Sequence, residues 1–64
     1  MITDVVVRAI DSEIADLQRI IDADEAILEH ETLQGKRKTL IDEIDRLQDR
    51  IAKLRRKRDH FVFG

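Results

Sequence analysis

The residues of this chain that could do chemistry are few: histidines at positions 30 and 60, one serine at 12, a knot of acids at Asp22, Asp24 and Glu25, and a basic run from Lys53 to Arg58. Nucleophilic catalysis by a serine hydroxyl or cysteine thiol needs that group held beside a base. Ser12 is the single serine, and the chain has no cysteine. Acid–base chemistry needs titratable groups gathered in a pocket, whereas the carboxylates here recur at the spacing of a solvated helix surface. A divalent cation needs converging oxygens; Asp22, Asp24 and Glu25 are near neighbours on one helix and fan around it. Phosphate binding survives this sorting. Lys53, Arg55, Arg56 and Lys57 are candidate contacts to a nucleic-acid backbone, although no aromatic residue interleaves with them to stack a base. The sequence predicts no enzyme, no cofactor and no metal.

The elements that position these residues are written in the apolar pattern. At spacings of three and four, the first half offers Val7, Ile10, Ile14, Leu17, Ile21, Asp24, Leu28 and Glu31. The second half offers Arg37, Leu40, Ile44, Leu47, Ile51, Leu54, Arg58 and Phe61. Paired in reverse, Leu28 with Leu40, Ile21 with Leu47 and Val7 with Phe61, the residue numbers always sum to 68. This is the pattern of an antiparallel coiled coil made from one chain.

A single continuous helix is the rival. With Val7 as heptad position a, the a positions are 7, 14, 21 and 28, then 37, 44, 51 and 58. The jump from 28 to 37 exceeds a heptad by two residues, neither the three nor the four that a coiled coil absorbs by local winding. The chain therefore folds back. The sequence predicts an all-α hairpin forming one domain over 1–64: helix one over about 4–32, a turn over 33–37 with Gly35 left-handed at the helix end, helix two over about 38–60, and a short apolar tail, 61–64. Thr3 or Asp4 is the expected cap of the first helix, and Thr39, with Asp42 or Glu43, that of the second. Glu13 with Arg55 and Asp11 with Lys57 are the expected ion pairs across the seam.

Charged residues are 41% of the chain and aromatics 3%, a composition suited to long exposed helices rather than a thick core. Without cysteine there is no disulfide framework. No apolar run approaches the ~20 residues of a membrane span, and Asp4 lies where a secretion signal carries bases; a cytoplasmic, unsecreted protein with no membrane contact is expected. Residues 1–31 carry nine acids and two bases, while residues 32–64 carry five acids and ten bases. An acidic helix thus lies along a basic one.

The seam does not use up the apolar residues. Val6, Ile20, Ile27, Ile41 and Val62 fall beside it and are expected to share one flank, with Phe63 next to them. A domain of this size gains only ~3–5 kcal/mol from its own core, so that flank is the candidate interface. Two copies packing there would make a four-helix bundle, most simply a two-fold dimer. The apolar tail is expected either to plug the hairpin's open end against Val5, Val6 and Val7 or to dock on a larger partner protein.

The hairpin plan, with Asp22-Ala23-Asp24-Glu25, resembles the Rop family of small plasmid RNA-binding regulators, in which hairpins dimerise into a four-helix bundle. Those four residues fall inside helix one by the heptad count, so only the architecture is carried over. Leu40-Ile41-Asp42-Glu43-Ile44-Asp45 also resembles the signature of small sporulation phosphatase hairpins, with Ile41 standing where that signature has serine. The functional expectation is a non-catalytic protein–protein interaction module: a small homo-oligomeric adaptor or regulator, or an accessory subunit of a larger assembly such as a viral particle. The alternative is a small nucleic-acid-binding regulator, a Rop-like bundle using the basic run of helix two.

Overall fold

A computed structural model describes the backbone of residues 2–63 and the side chains of residues 4–62. Two α-helices, α1 (Ile2–His30) and α2 (Gln34–Phe63), are joined by residues 31–33 and packed against each other as a hairpin. The slab measures 49 × 15 × 11 Å. Its length is that of a 29- or 30-residue helix rising 1.5 Å per residue.

The seam follows the heptad. Every position from Val7 to Arg58 in the two series is buried or half-buried, and only Phe61, at the open end, is exposed. Ile21, Ile44 and Ile51 form the buried centre, with Ile14, Leu17, Leu28 and Leu47 packed on it. Ile44 and Ile51 straddle residue 47, the residue that the reverse pairing sets opposite Ile21. The knob thus sits between two side chains of the facing helix. Ile10 is buried nearer the open end.

The connection differs from expectation. It occupies 31–33 rather than 33–37, and Gly35 lies in the first turn of α2. No described residue, glycine or otherwise, has a positive φ. The physical reason is Arg37. Its Nη1 donates to the carbonyl of Leu28 at 3.0 Å and to that of Glu31 at 2.9 Å. Those are carbonyls at the end of α1 that a left-handed glycine cap would otherwise help satisfy. The Glu31 amide donates to the Leu28 carbonyl at 3.2 Å, tightening the last turn. The Arg37 amide donates to the Leu33 carbonyl at 2.9 Å, which makes Leu33 the residue that opens α2. The Leu33 amide donates to Glu31 Oε1 at 3.2 Å.

Thr39 therefore lies inside α2, and its hydroxyl donates back to the Gly35 carbonyl at 3.0 Å instead of capping. The bases Lys36, Arg37 and Lys38 sit badly for the dipole of α2 but well for the C-terminus of α1 beside them. At the other end α2 continues through Phe63, so the expected tail is helical as far as it is described; Met1 and Gly64 lie outside the described residues.

The ion pairs across the seam also differ. Glu13 pairs with Arg50 at 2.8 Å, and Asp11 with Arg58 Nε at 2.6 Å, in place of Glu13–Arg55 and Asp11–Lys57. In an antiparallel pair the g positions of the two helices face each other on one side and the e positions on the other. Glu13 and Arg50 are both g, whereas Glu13 and Arg55 belong to opposite sides. The Asp11–Arg58 contact is close, but Nε is not aligned for a hydrogen bond and is otherwise buried without a partner.

Candidate interaction surface

The rule that joined Glu13 to Arg50 divides the surface into two sides. On the e side, a groove is lined by Asp22, Glu25, Ala26, Leu28 and Glu29 of α1 and by Arg37, Ile41, Ile44 and Asp45 of α2. Four carboxylates surround it and one guanidinium answers them. On the g side near the turn, a second groove is lined by Ile27, Glu31, Leu33, Gly35, Lys36, Thr39 and Leu40. Further along the same side, Glu13, Arg46, Leu47, Asp49, Arg50, Lys53, Leu54 and Lys57 line a third. One side of the slab is thus acidic, and the other is apolar along α1 and basic along α2.

This division corrects the expected single flank. Ile27 and Ile41 line grooves on opposite sides of the hairpin. Val6 and Ile20 stand whole heptads from Ile27 and share its side. Val62 stands three heptads from Ile41 and shares that one. Ile20, Ile27, Ile41 and Val62 are exposed and Val6 is half-buried; the Phe63 side chain lies outside the described residues. The sequence reading missed Leu33, which is 57% exposed beside Ile27. It lies in the connection, outside both heptad series, so the apolar period carries no signal for it. The plug is not tight: Val5 is 68% exposed, Phe61 39% and Val62 48%, so the open end leaves apolar surface in water. His60 lies edge-on to Phe61, with ring centroids 6.0 Å apart.

The candidate phosphate contacts are also split. Lys53 and Lys57 line the g-side groove, together with Arg46 and Arg50, which composition did not single out. Arg55 belongs to the e side and Arg56 to the outer surface of α2. The four g-side bases recur at intervals of four, three and four, so they form one row along the helix. Two are engaged within the hairpin, Arg50 with Glu13 at 2.8 Å and Lys53 with Asp49 at 3.0 Å.

The acids fan out as their spacing requires. Asp22 accepts a hydrogen bond from Gln18 at 3.0 Å, Glu25 is exposed, and Asp24 is buried in the seam, where its Oδ2 has no partner. Among the described residues no group of three or more His, Asp or Glu is placed to hold a metal ion. His30 ends α1 at the turn, and His60 lies near the opposite end of the slab. No helix of the described residues is long and apolar enough to cross a membrane. No known family model, curated protein or solved structure matches this chain.

Proposed function

We propose that this hairpin is a non-catalytic protein–protein interaction module that works as a small homo-oligomer, an adaptor or regulator by itself or an accessory subunit of a larger assembly. The observation that carries this reading is the exposure of large apolar side chains on a slab only 11 Å thick. Among the described residues, four isoleucines make up the buried apolar core. A core of that size supplies only ~3–5 kcal/mol of net stability. Covering Ile20, Ile27 and Leu33 with another helical surface adds what the two helices lack.

Sedimentation equilibrium across a wide concentration range tests the reading. A dimer or tetramer dissociating in the micromolar range or below supports it; a folded monomer at every concentration overturns it.

The row Arg46, Arg50, Lys53 and Lys57 favours a second reading, binding to a nucleic-acid backbone. Affinity for generic RNA or DNA would then fall steeply with salt. Failure to bind at low salt removes this reading.

A further inference from the structure

We propose that the chain dimerises through its g side, with the two-fold axis parallel to the long axis of the slab. Both turns then lie at the same end, and α1 of each copy covers α2 of the other. This rests on the self-association reading above and adds to it which side is covered and in which orientation.

The choice of side follows from charge. The e side holds Ile41 and Val62, but Asp22, Glu25, Glu29 and Asp45 surround the groove of Ile41. Two copies meeting there would bring eight carboxylates together around a small apolar floor, and like charges placed opposite one another oppose association. The g side holds Ile20, Ile27 and Leu33, all exposed, with Val6 half-buried in line. Its acids and bases are unequal in a useful way, because bases dominate α2 and acids dominate α1.

The orientation follows from the same inequality. Residues 1–31 carry a net charge of −7 and residues 32–64 one of +5. If the two-fold axis ran across the slab, α2 would cover α2, and the row Arg46, Arg50, Lys53 and Lys57 would face its own copy. If the axis runs along the slab, α1 covers the partner's α2 and each residue keeps its height. Ile20 then arrives at the level of Gln48, over Leu47 and between the stems of Arg46 and Arg50, which cover apolar surface while their heads reach water. Glu13 and Asp16 arrive beside Lys53 and Lys57. Ile27 arrives over Leu40. The described face, 49 Å by 15 Å, offers a footprint of roughly 700 Å², close to the ~800 Å² per partner of a standard interface. The occupant is thus a second copy of this chain, because this chain carries both the apolar row and the charge pattern that complements it.

Leu33 makes the orientation measurable. It lies in the link between the helices on the g side, close to the proposed axis, so the two copies of Leu33 come together. The chain has no cysteine, and a single Leu33→Cys variant carries one spin label per copy. The expected result is a short distance between labels, together with disulfide formation under mild oxidation. Ile20→Lys, which sets an ammonium between the partner's Arg46 and Arg50, and Ile27→Glu are expected to weaken the dimer about tenfold or more, while Ile41→Glu leaves it intact, with helix content by circular dichroism confirming that each variant folds. A dimer whose labels stand apart by a distance comparable with the 49 Å length overturns the orientation, and one dissociated by Ile41→Glu but not by Ile27→Glu overturns the choice of side. Both results leave self-association standing. A monomeric wild-type chain overturns the inference and the reading beneath it together.

Discussion

The two ends of this hairpin are held by different means. At the turn, a single side chain, Arg37, closes the C-terminus of α1 with two hydrogen bonds from inside α2, and the short link keeps the partners close at little entropic cost. At the open end, the Asp11–Arg58 ion pair is close but poorly aligned, and Val5, Phe61 and Val62 remain exposed. Apart from the Arg50–Glu13 hydrogen bond farther along the seam, the directional bonds between the helices thus lie where the chain already enforces proximity. The open end relies on partly solvated contacts of the kind that contribute ~0–1 kcal/mol each. Stability should therefore fall from the turn half toward the termini, with amide exchange fastest at the open end.

The largest contrast comes from truncating one apolar side chain in each half. Ile21 is 1% exposed and belongs to the buried cluster. Ile21→Ala should cost about 3–4 kcal/mol, comparable with all that so small a core supplies. Urea denaturation at fixed protein concentration should show most of the cooperative transition lost, while the milder Ile21→Val keeps it measurable at a cost of about 1 kcal/mol. Phe61→Ala at the open end should cost less than about 1 kcal/mol. Equal losses at the two positions would erase the distinction between the halves.

Arg37 tests the turn directly. Arg37→Ala removes both hydrogen bonds and leaves the Leu28 and Glu31 carbonyls without that donor, so a loss of about 2 kcal/mol is expected. Lysine keeps the charge near the end of α1, but its ammonium sits one bond short of Nη1. Arg37→Lys should recover the part that comes from the helix dipole and not the part that comes from the paired hydrogen bonds. Arg58→Ala, at the opposite end, should change the denaturation midpoint far less. If the two arginines prove equivalent, the turn is not closed in the way the geometry indicates.

Asp24 reverses the sign. It occupies a seam position in the turn half, is 9% exposed, and leaves Oδ2 without a partner. Burying a polar atom without a hydrogen bond is unfavourable, so Asp24→Leu should stabilise the hairpin by about 1–2 kcal/mol. A polar residue in a coiled-coil seam also restricts how helices can pair. The same variant should therefore populate additional association states, read as heterogeneity in sedimentation velocity.

These positions show what was legible beforehand. The seam was readable because burial in a two-helix structure follows a single period, and Val7 to Arg58 obey it even where the residue is Asp24, Glu31 or Arg37. Two features were not readable by that route. Ile27 and Ile41 both flank the seam and share a height, but antiparallel packing matches g with g and e with e, and a residue count that sums to 68 does not register sides. Glycine is a familiar helix terminator and draws the expected turn to 33–37, whereas an arginine six residues beyond Glu31 that reaches back to its carbonyl has no local signature. The interaction surface shows the same limits: Leu33 lies in the connection, outside both heptad series, and Arg46 and Arg50 belong to a row spread over three turns, less conspicuous in sequence than the dense run at 53–58, of which Arg55 and Arg56 lie off that side.

Gly35 offers the smallest effect and the sharpest sign. Were it the left-handed residue ending α1, a β-carbon there would be strained, and Gly35→Ala would destabilise by about 1 kcal/mol or more. In the structure it lies within the first turn of α2, without positive φ, and a β-carbon added to it would meet nothing within 4 Å. Alanine then reduces the freedom of the unfolded chain and strains nothing in the folded one. Gly35→Ala should stabilise the hairpin by about 0.5–1 kcal/mol, seen as a small rise in the urea midpoint with an unchanged slope. Gly35 lines the g-side groove, which the proposed dimer covers, so the midpoint is read at a concentration low enough to keep the chain monomeric, where the shift reports backbone conformation. A fall in the midpoint would move the turn back to 33–37 and deprive Arg37 of its role as the cap of α1.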